Sequence, residues 1–201
     1  MKKIPLSFYD RKDAVIIARE LLGKIIVTNF SGQITSGKIV ETEAYLGFTD
    51  KASHAYAGKR TARNEHMYSP AGTAYVYICY GMHTMFNIVT NKENIPDAVL
   101  IRAIEPVQGI EIMTQRTKKN IIDPTITRGP GNVGKALGIF KHHSGLFLLE
   151  DKIFLLGENK KIPDEQIGIS KRIGVDSAGK DSLLPYRFYV KGNKYVSGKK
   201  S

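Results

Sequence analysis

Two glutamates and a tyrosine alternate in the segment KIVETEAYL, and their types and spacing could do chemistry. In an extended chain, side chains two positions apart share a face, so Glu41, Glu43 and Tyr45 project together. Carboxylates at positions i and i+2 lie roughly 6–7 Å apart, which overlaps the separation used by inverting glycosidases. The alternative is a solvent-facing strand with two glutamates. The tyrosine and the long polar stretch that follows favour a site.

Aromatic rings and cations form a second candidate cluster over residues 45–86. The rings considered are Tyr45, Tyr56, Tyr68, Tyr75, Tyr77, Tyr80 and Phe86, and the cations among or near them include Lys59, Arg60, Arg63 and Arg102. Rings interleaved with cations can stack bases and hold phosphates. Tyrosine also favours strands, so we expect half of these rings in the core. Tyr80, beside Gly81 at a predicted hairpin tip, suits a wedge between stacked bases instead.

Other chemistries find little support. GPGNVGKA (129–136) approaches a phosphate-binding P-loop, but Ala136 stands where Ser or Thr would hold Mg²⁺. Its glycines and Lys135 could still contact a phosphate, with Gly131 offering a backbone N–H, or they are a plain loop and helix start. No two of the five histidines are four residues apart, and the single cysteine, Cys79, excludes a disulfide and a multi-cysteine metal site. We expect no metal and no cofactor.

Composition and charge indicate one basic globular domain. The 201 residues include 30 Lys and Arg against 19 Asp and Glu, a net charge of +11, and 42% are hydrophobic. Such an excess favours polyanionic partners, although scattered lysines could merely confer solubility. There is no apolar run long enough to span a bilayer and no signal-peptide pattern, so we expect an intracellular, nucleoid-associated protein without a membrane partner. The end, KGNKYVSGKKS, resembles a frayed tail.

The elements that position these residues are predicted from periodicity and turn residues. Asp10 is the expected N-cap of a helix over 10–22 that Gly23 ends. The remaining expectations are strands over 24–30 and 34–48, an irregular excursion over 47–72, a hairpin around 80–82, a strand over 97–106, a helix over 106–117, a glycine-rich loop and short helix over 129–140, and a late strand within 173–193. The pattern predicts an α+β fold with a curved, largely antiparallel sheet and flanking helices.

Several long segments resemble one family. VETEAYLGFTDKASHA, RNEHMYSPAGTAYVYICYGMHTMFNIV, VLIRAIEP, GPGNVGKALGI and RIGVDSAGKDSLLPYRFYV are similar, in order and spacing, to the alkyladenine (3-methyladenine) DNA glycosylases of the alkylpurine type. The resemblance runs from about Ile4 to Val196. It implies a monofunctional hydrolase that flips a damaged purine out of duplex DNA and cuts its N-glycosidic bond, leaving an abasic site.

The resemblance also implies roles for individual residues. Glu43 is the expected general base and Arg102 its partner in holding the attacking water. The remaining implied positions are Tyr45, His54 and Tyr77 around the flipped base, Tyr80 as the wedge, Asn87 rejecting the 2-amino group of guanine, and Val175 at a backbone contact; Arg60, Arg63, Gly131 and Lys135 are candidate phosphate contacts. The stretch 47–51 and His83-Thr84 depart from the better-known mammalian pattern, which leaves the range of substrates open.

Two alternatives remain beside the monomeric glycosylase. A non-enzymatic nucleic-acid-binding protein would use the same basic, aromatic surface and would not need Glu43. A carbohydrate hydrolase would need both Glu41 and Glu43 but not Tyr80, and the positive charge argues against it. A base that carries a positive charge departs without an acid, so one carboxylate can suffice.

Overall fold

An antiparallel sheet occupies the centre of the fold. The computed structural model describes residues 1–120, 122–157 and 161–198. Within those ranges the strands are β1 (Lys2–Lys3), β2 (Ile25–Phe30), β3 (Gln33–Tyr45), β4 (Ala74–Cys79), β5 (His83–Thr90), β6 (Asp97–Gln108), β7 (Ile153–Gly157), β8 (Ile167–Ser170) and β9 (Arg187–Val190). The spatial order is β1-β7-β2-β3-β6-β5-β4, and β9 pairs with both β3 and β8. The predicted α+β class with an antiparallel sheet is confirmed.

Strand β3 is the longest strand and changes neighbours along its length. Its first half pairs with β2, whereas residues 41–43 pair with β6 on one side and β9 on the other. The pairing with β6 shifts register around Glu41, which indicates a bulge that increases the local twist. Since a strand with two partners is covered along both edges, β3 carries the alternating residues 41, 43 and 45 into the interior.

The helices flank this sheet: α1 (Leu6–Tyr9), α2 (Ala14–Glu20), α3 (Ile110–Thr117) and α4 (Pro130–Leu137). The expected helix start at Asp10 is wrong. Asp13 is the N-cap of α2, and its carboxylate accepts from the N–H groups of Val15 and Ile16. The helix ends at Glu20 rather than at Gly23.

The glycine-rich segment also differs from its prediction, because α4 begins inside it, at Pro130. Glycine usually weakens a helix, but here it permits close packing against β5. A Cβ on Gly134 would lie 2.5 Å from the carbonyl oxygen of Thr84, and one on Gly131 would lie 2.8 Å from Nδ1 of His83. The glycines therefore serve helix–strand contact rather than a flexible loop.

The main core lies between the sheet and the helices, and its largest fully buried side chains include Tyr9, Ile17, Leu21, Ile39, Phe86, Ile101 and Ile104. The expected frayed end is wrong for residues 191–198, because Tyr195 is buried in this core. Residues 199–201 lie outside the described part. No helix within the described ranges is both long and apolar enough to cross a membrane.

The segment 47–72 is irregular, as predicted, and it folds over one end of the sheet. It contains 3₁₀ turns at Tyr56–Gly58 and Glu65–Tyr68. It has a small core of its own, formed by Ala55, Met67, Tyr68, Tyr75, Val89 and Ala98. This second core brings the excursion against β4, β5 and β6, next to the end of β3.

Candidate active site

The two glutamates of β3 are both completely buried. The polar, solvent-facing strand considered from the sequence is therefore wrong. Leaving an ionised carboxylate in the interior without partners is costly, so each needs hydrogen bonds or cations. The two glutamates have different partners: those of Glu41 occupy its carboxylate fully, whereas those of Glu43 leave one acceptor position.

Glu43 is held by three donors from three parts of the chain. Its Oε1 accepts from the backbone N–H of Ile173 at 2.8 Å. Its Oε2 accepts from the hydroxyl of Tyr45 at 2.8 Å and from Nη1 of Arg102 at 3.1 Å. A carboxylate has about four acceptor positions. These bonds leave one position on Oε1 for a further donor such as water.

Glu41 belongs to a second set of contacts, which we call the Glu41 cluster: Glu41, Arg102, Arg187 and Ser197. Oε1 of Glu41 accepts from Nε of Arg102 at 3.0 Å and from Nε of Arg187 at 2.7 Å. Ser197 donates its backbone N–H to Oε2 at 2.7 Å, and its hydroxyl lies 2.7 Å from both carboxylate oxygens. The carboxylate is thus saturated.

Arg102 joins the two carboxylates. Burial alone would lower its pKa, but the charges of Glu43 and Glu41 raise the pKa of Arg102 above its ordinary value. The guanidinium is therefore a permanent cation with a fixed orientation. It holds the Oε2 side of Glu43 in place.

An aromatic pocket adjoins Glu43. The residues that line it are Tyr45, Ala52, Ser53, His54, Met67, Tyr75, Tyr77, Asn87 and Ala98. The cavity measures about 30 Å³, which is room for a water molecule but not for a base. The ring of His54 meets that of Tyr77 edge-on, with centroids 4.6 Å apart. The pocket is therefore narrowed by its own side chains.

The rings of the pocket stay neutral at physiological pH. Burial, with the positive charges of Arg63 and Lys59, lowers the pKa of His54 to about 4. Nδ1 of His54 lies 2.7 Å from the hydroxyl of Tyr75. Burial also raises the pKa of Tyr77 to about 12, helped by Cys79 and Glu43. Neutral rings can accept a flat cation between their faces.

Asn87 lines the aromatic pocket from β5, the strand between β4 and β6. It lies on β5, opposite Tyr75 on β4 and Leu100 on β6, and it is buried. Its Nδ2 donates to the carbonyl oxygens of Tyr75 and Met85, at 3.2 and 3.4 Å. Both amide protons are thereby used by the backbone, which fixes the plane of the side chain.

Tyr80 lies away from the pocket, at the tip of the β4–β5 hairpin. The predicted hairpin is confirmed, and 85% of the surface of Tyr80 is exposed. Its φ of 49° is in the left-handed region, which costs free energy for a residue other than glycine. Met82 beside it is 75% exposed. The tip is therefore a projecting apolar feature on a basic protein.

The four candidate phosphate contacts lie on two parts of the fold: two are in the segment 47–72 and two are on α4. Arg60 is exposed, paired with Glu65 and stacked over Tyr68. Arg63 lies over Tyr77, 5.4 Å from the ring centroid. Gly131 and Lys135 lie on α4, where Gly131 faces the hairpin residue His83 and the side chain of Lys135 is exposed.

Val175 is half-buried just before the 3₁₀ segment Asp176–Leu183. The backbone group of this region that contacts Glu43 belongs to Ile173, two residues earlier. Sequence reasoning also missed Arg187, Ser197, Asp50 and Arg172. One signal was available: Arg187 interrupts an apolar strand, as Arg102 does in VLIRAIEP. Across the described ranges, no group of three or more His, Cys, Asp or Glu side chains is arranged to hold a metal ion.

Comparison with known proteins matches this arrangement to one kind of enzyme. The family model described as "Methylpurine-DNA glycosylase (MPG)" matches residues 7–194. A protein of Desulfitobacterium hafniense is 46% identical over 99% of this chain and 100% of its own length. Proteins of Carboxydothermus hydrogenoformans (46%; 98% and 99%) and Clostridium acetobutylicum (43%; 97% and 97%) are similar. All three carry the name "Putative 3-methyladenine DNA glycosylase".

These matches, over nearly the whole chain, make the protein a DNA glycosylase, an enzyme of DNA repair that acts on alkylated bases. Within that class, the chain belongs to the methylpurine-DNA glycosylase family. The resemblance noted in the sequence is thereby confirmed.

Proposed function

We propose that this protein, as a monomer, flips an alkylated purine such as 3-methyladenine or 7-methylguanine out of duplex DNA and hydrolyses its N-glycosidic bond. The observation that carries the proposal is Glu43: a buried carboxylate with one acceptor position left, beside an aromatic pocket. Water donates a hydrogen bond to Oε1 and attacks the sugar C1′ while Glu43 takes its proton. The bonding electron pair leaves with the purine nitrogen and neutralises the charge of the base.

Arg102 orients this carboxylate. Its Nη1 holds Oε2 and Ile173 holds Oε1, so the remaining lone pair has a fixed direction. In a site that excludes water, the carboxylate also stabilises the positive charge that develops on the sugar. Since a cationic base leaves without protonation, no second carboxylate is required, and Glu41 keeps a supporting role.

The aromatic pocket receives the flipped base. Tyr45, His54 and Tyr77 are neutral, electron-rich rings, and stacking a cation against such faces is worth roughly 0.5–2 kcal/mol. Because the cavity holds about 30 Å³, the His54 and Tyr77 rings must separate as the base enters. Asn87, fixed by the backbone, disfavours the 2-amino group of normal guanine at its position, a penalty that the stronger stacking of cationic 7-methylguanine offsets.

Tyr80 fills the gap that the flipped nucleotide leaves. An exposed aromatic ring on a projecting hairpin can enter a base stack, and unstacking costs least at a damaged pair. Arg60, Arg63, Lys135 and the N–H of Gly131 supply phosphate contacts around it. Replacement of Tyr80 by alanine is expected to lower base release from duplex DNA about 10–100-fold, a range set by a few kcal/mol of unstacking. Unchanged release from duplex DNA would exclude the wedge.

The deciding experiment is incubation with methylated duplex DNA, scoring free base and abasic sites, with Glu43→Gln alongside. We expect wild type to release 3-methyladenine and the variant to bind without release. A separate hypoxanthine duplex tests neutral substrates. Binding without release by wild type would support a nucleic-acid-binding protein without activity, and release that survives Glu43→Gln would exclude Glu43 as the base.

A further inference from the structure

Behind Tyr45 lies a second ion pair that the proposed mechanism does not use. Arg172 and Asp50 are completely or almost completely buried, with side-chain exposures of 0% and 1%. The two nitrogens of the guanidinium fork each donate to one oxygen of the Asp50 carboxylate, Nη2 at 2.8 Å. Such a bidentate pair has a fixed geometry.

Several contacts of Arg172 lead to the walls of the aromatic pocket, although its Nη2 also donates to the carbonyl oxygen of Asp181 at 3.0 Å. Its Cζ lies 4.7 Å from the ring centroid of Tyr45, and its Nη1 donates to the carbonyl oxygen of Ala44 at 2.9 Å. The next residue, Ile173, donates its N–H to Glu43. Asp50 accepts from the N–H of Ala52, at the start of the turn that leads to His54. One ion pair therefore connects the stacking ring, the general base and the opposite wall.

The stacking of Arg172 also has an electrostatic consequence. Because the buried guanidinium covers one face of Tyr45, a flipped base can use only the other face. A cationic base there would lie about 8 Å from the guanidinium, within range of strong repulsion in a low-dielectric site. The carboxylate of Asp50 offsets that repulsion. A neutral base would feel neither charge strongly.

We propose that Asp50 and Arg172 form a positioning pair whose internal neutrality permits Tyr45 to stack a cationic base. Arg172 sets the ring and the Ile173 N–H, and Asp50 cancels the charge behind the ring. The inference rests on the proposed function, since it concerns how the alkylated base is preferred. It makes Asp50 a determinant of specificity for charged over neutral purines.

The test measures binding to duplexes with a 2′-fluoro sugar at the damaged nucleotide, which suppresses hydrolysis. One duplex carries 7-methylguanine, which is cationic, one carries hypoxanthine, which is neutral, and one is undamaged. For Asp50→Asn we expect the ratio of the two damaged-duplex Kd values to shift about tenfold against the cationic base. For Arg172→Met we expect the ratio to shift in the opposite direction. Opposite signs would not arise from a general loss of packing.

Glu65→Gln is the matched control. Like Asp50, Glu65 is a carboxylate of the segment 47–72 that pairs with an arginine, but the Glu65–Arg60 pair is exposed and screened. The Glu65→Gln variant should leave the ratio unchanged. An unchanged ratio in Asp50→Asn, or shifts of the same sign in both variants, would overturn the inference. If thermal unfolding shows that Asp50→Asn does not fold, the Arg172→Met variant decides the question. A ratio of Kd values that does not shift in favour of the cationic base in Arg172→Met would then overturn the inference. If wild type itself does not prefer 7-methylguanine to undamaged duplex, the proposed function fails instead.

Discussion

Glu41 and Glu43 share a strand, a face, complete burial and one arginine, yet their surroundings are opposites. Glu41 is saturated by two guanidinium groups and Ser197, and two of these partners, Arg187 and Ser197, come from near the end of the described chain. Glu43 has one guanidinium, one phenol and one backbone N–H, and the phenol belongs to Tyr45, which lines the aromatic pocket. The comparison teaches that burial alone does not mark a chemical group. What marks it is an acceptor position without a protein donor, next to a residue that lines a pocket.

The largest expected difference is in turnover. Glu43→Gln removes the proton acceptor and should lower single-turnover base release at least about 10³-fold, within the range typical of a general base. Glu41→Gln should lower it by about tenfold, through loosening of Arg102. Single-turnover release from 3-methyladenine duplex measures both. Equal losses would break the comparison and revive the two-carboxylate mechanism.

Stability should show the reverse order. Glu41→Gln leaves the buried guanidinium group of Arg187 without its carboxylate partner and Arg102 with Glu43 alone, and breaking a buried pair in this way costs about 3 kcal/mol. Glu43→Gln should cost about 1 kcal/mol, because Arg102 keeps Glu41. Urea unfolding of the two variants measures the difference. A less stable Glu43→Gln would contradict the assignment of Glu41 to structure.

The pH dependence of stability tests the environment of His54 in the aromatic pocket. Unfolded His54 takes up a proton near pH 6.5, whereas its folded pKa is lowered to about 4 by burial and the charges of Arg63 and Lys59. The unfolded chain therefore binds more protons between these values, so stability is full above about pH 6.5 and falls as the pH drops toward 4, by up to about 3 kcal/mol.

His54→Gln, which keeps a hydrogen-bonding group for Tyr75 but does not titrate, should lose that part of the slope. Urea unfolding of wild type and variant at pH 7 and pH 5 gives the comparison. Identical pH dependence of the two proteins would show that His54 has the same pKa in the folded and the unfolded chain, which would contradict the lowered value.

Each hydroxyl group that contacts one of the two glutamates should have a smaller effect than the glutamate itself. Tyr45→Phe removes the phenol from Oε2 of Glu43 and should slow base release about threefold to tenfold, with little change in stability. Ser197→Ala should lower the free energy of unfolding by about 1.5 kcal/mol and leave release within about twofold. Single-turnover release and urea unfolding of both variants measure these effects. A large loss of stability in Tyr45→Phe together with slow release in Ser197→Ala would contradict the comparison.

The sequence predicted what alternation and turn residues control. The period-two pattern placed Glu41, Glu43 and Tyr45 on one face, and Gly81 located the hairpin that presents Tyr80. The burial of the glutamates was beyond local patterns, because their partners are contributed by residues 102, 173, 187 and 197. No periodicity reports which distant cation reaches a strand.

The errors have equally physical causes. Asp10 and Asp13 are both plausible helix caps, and the choice depends on how the chain enters α2 after the short helix α1. Glycines in 129–136 suggested a loop, but tertiary packing against Thr84 outweighs their weak helix propensity. Lysines near the end suggested a frayed tail, whereas Tyr195 anchors the segment in the core.

The bond between Glu41 and Ser197 spans 156 positions of sequence, which has a consequence for biosynthesis. A ribosome adds about 5–20 residues per second, so roughly ten to thirty seconds separate the emergence of β3 from that of its last partner. During that interval the Glu41 carboxylate lacks the donors of Arg187 and Ser197 and stays partly hydrated. A nascent chain can thus gather the partners of Glu43, which are residues 45, 102 and 173, before the contacts of Glu41 are complete, so the supporting carboxylate is secured only after residue 197 has been translated.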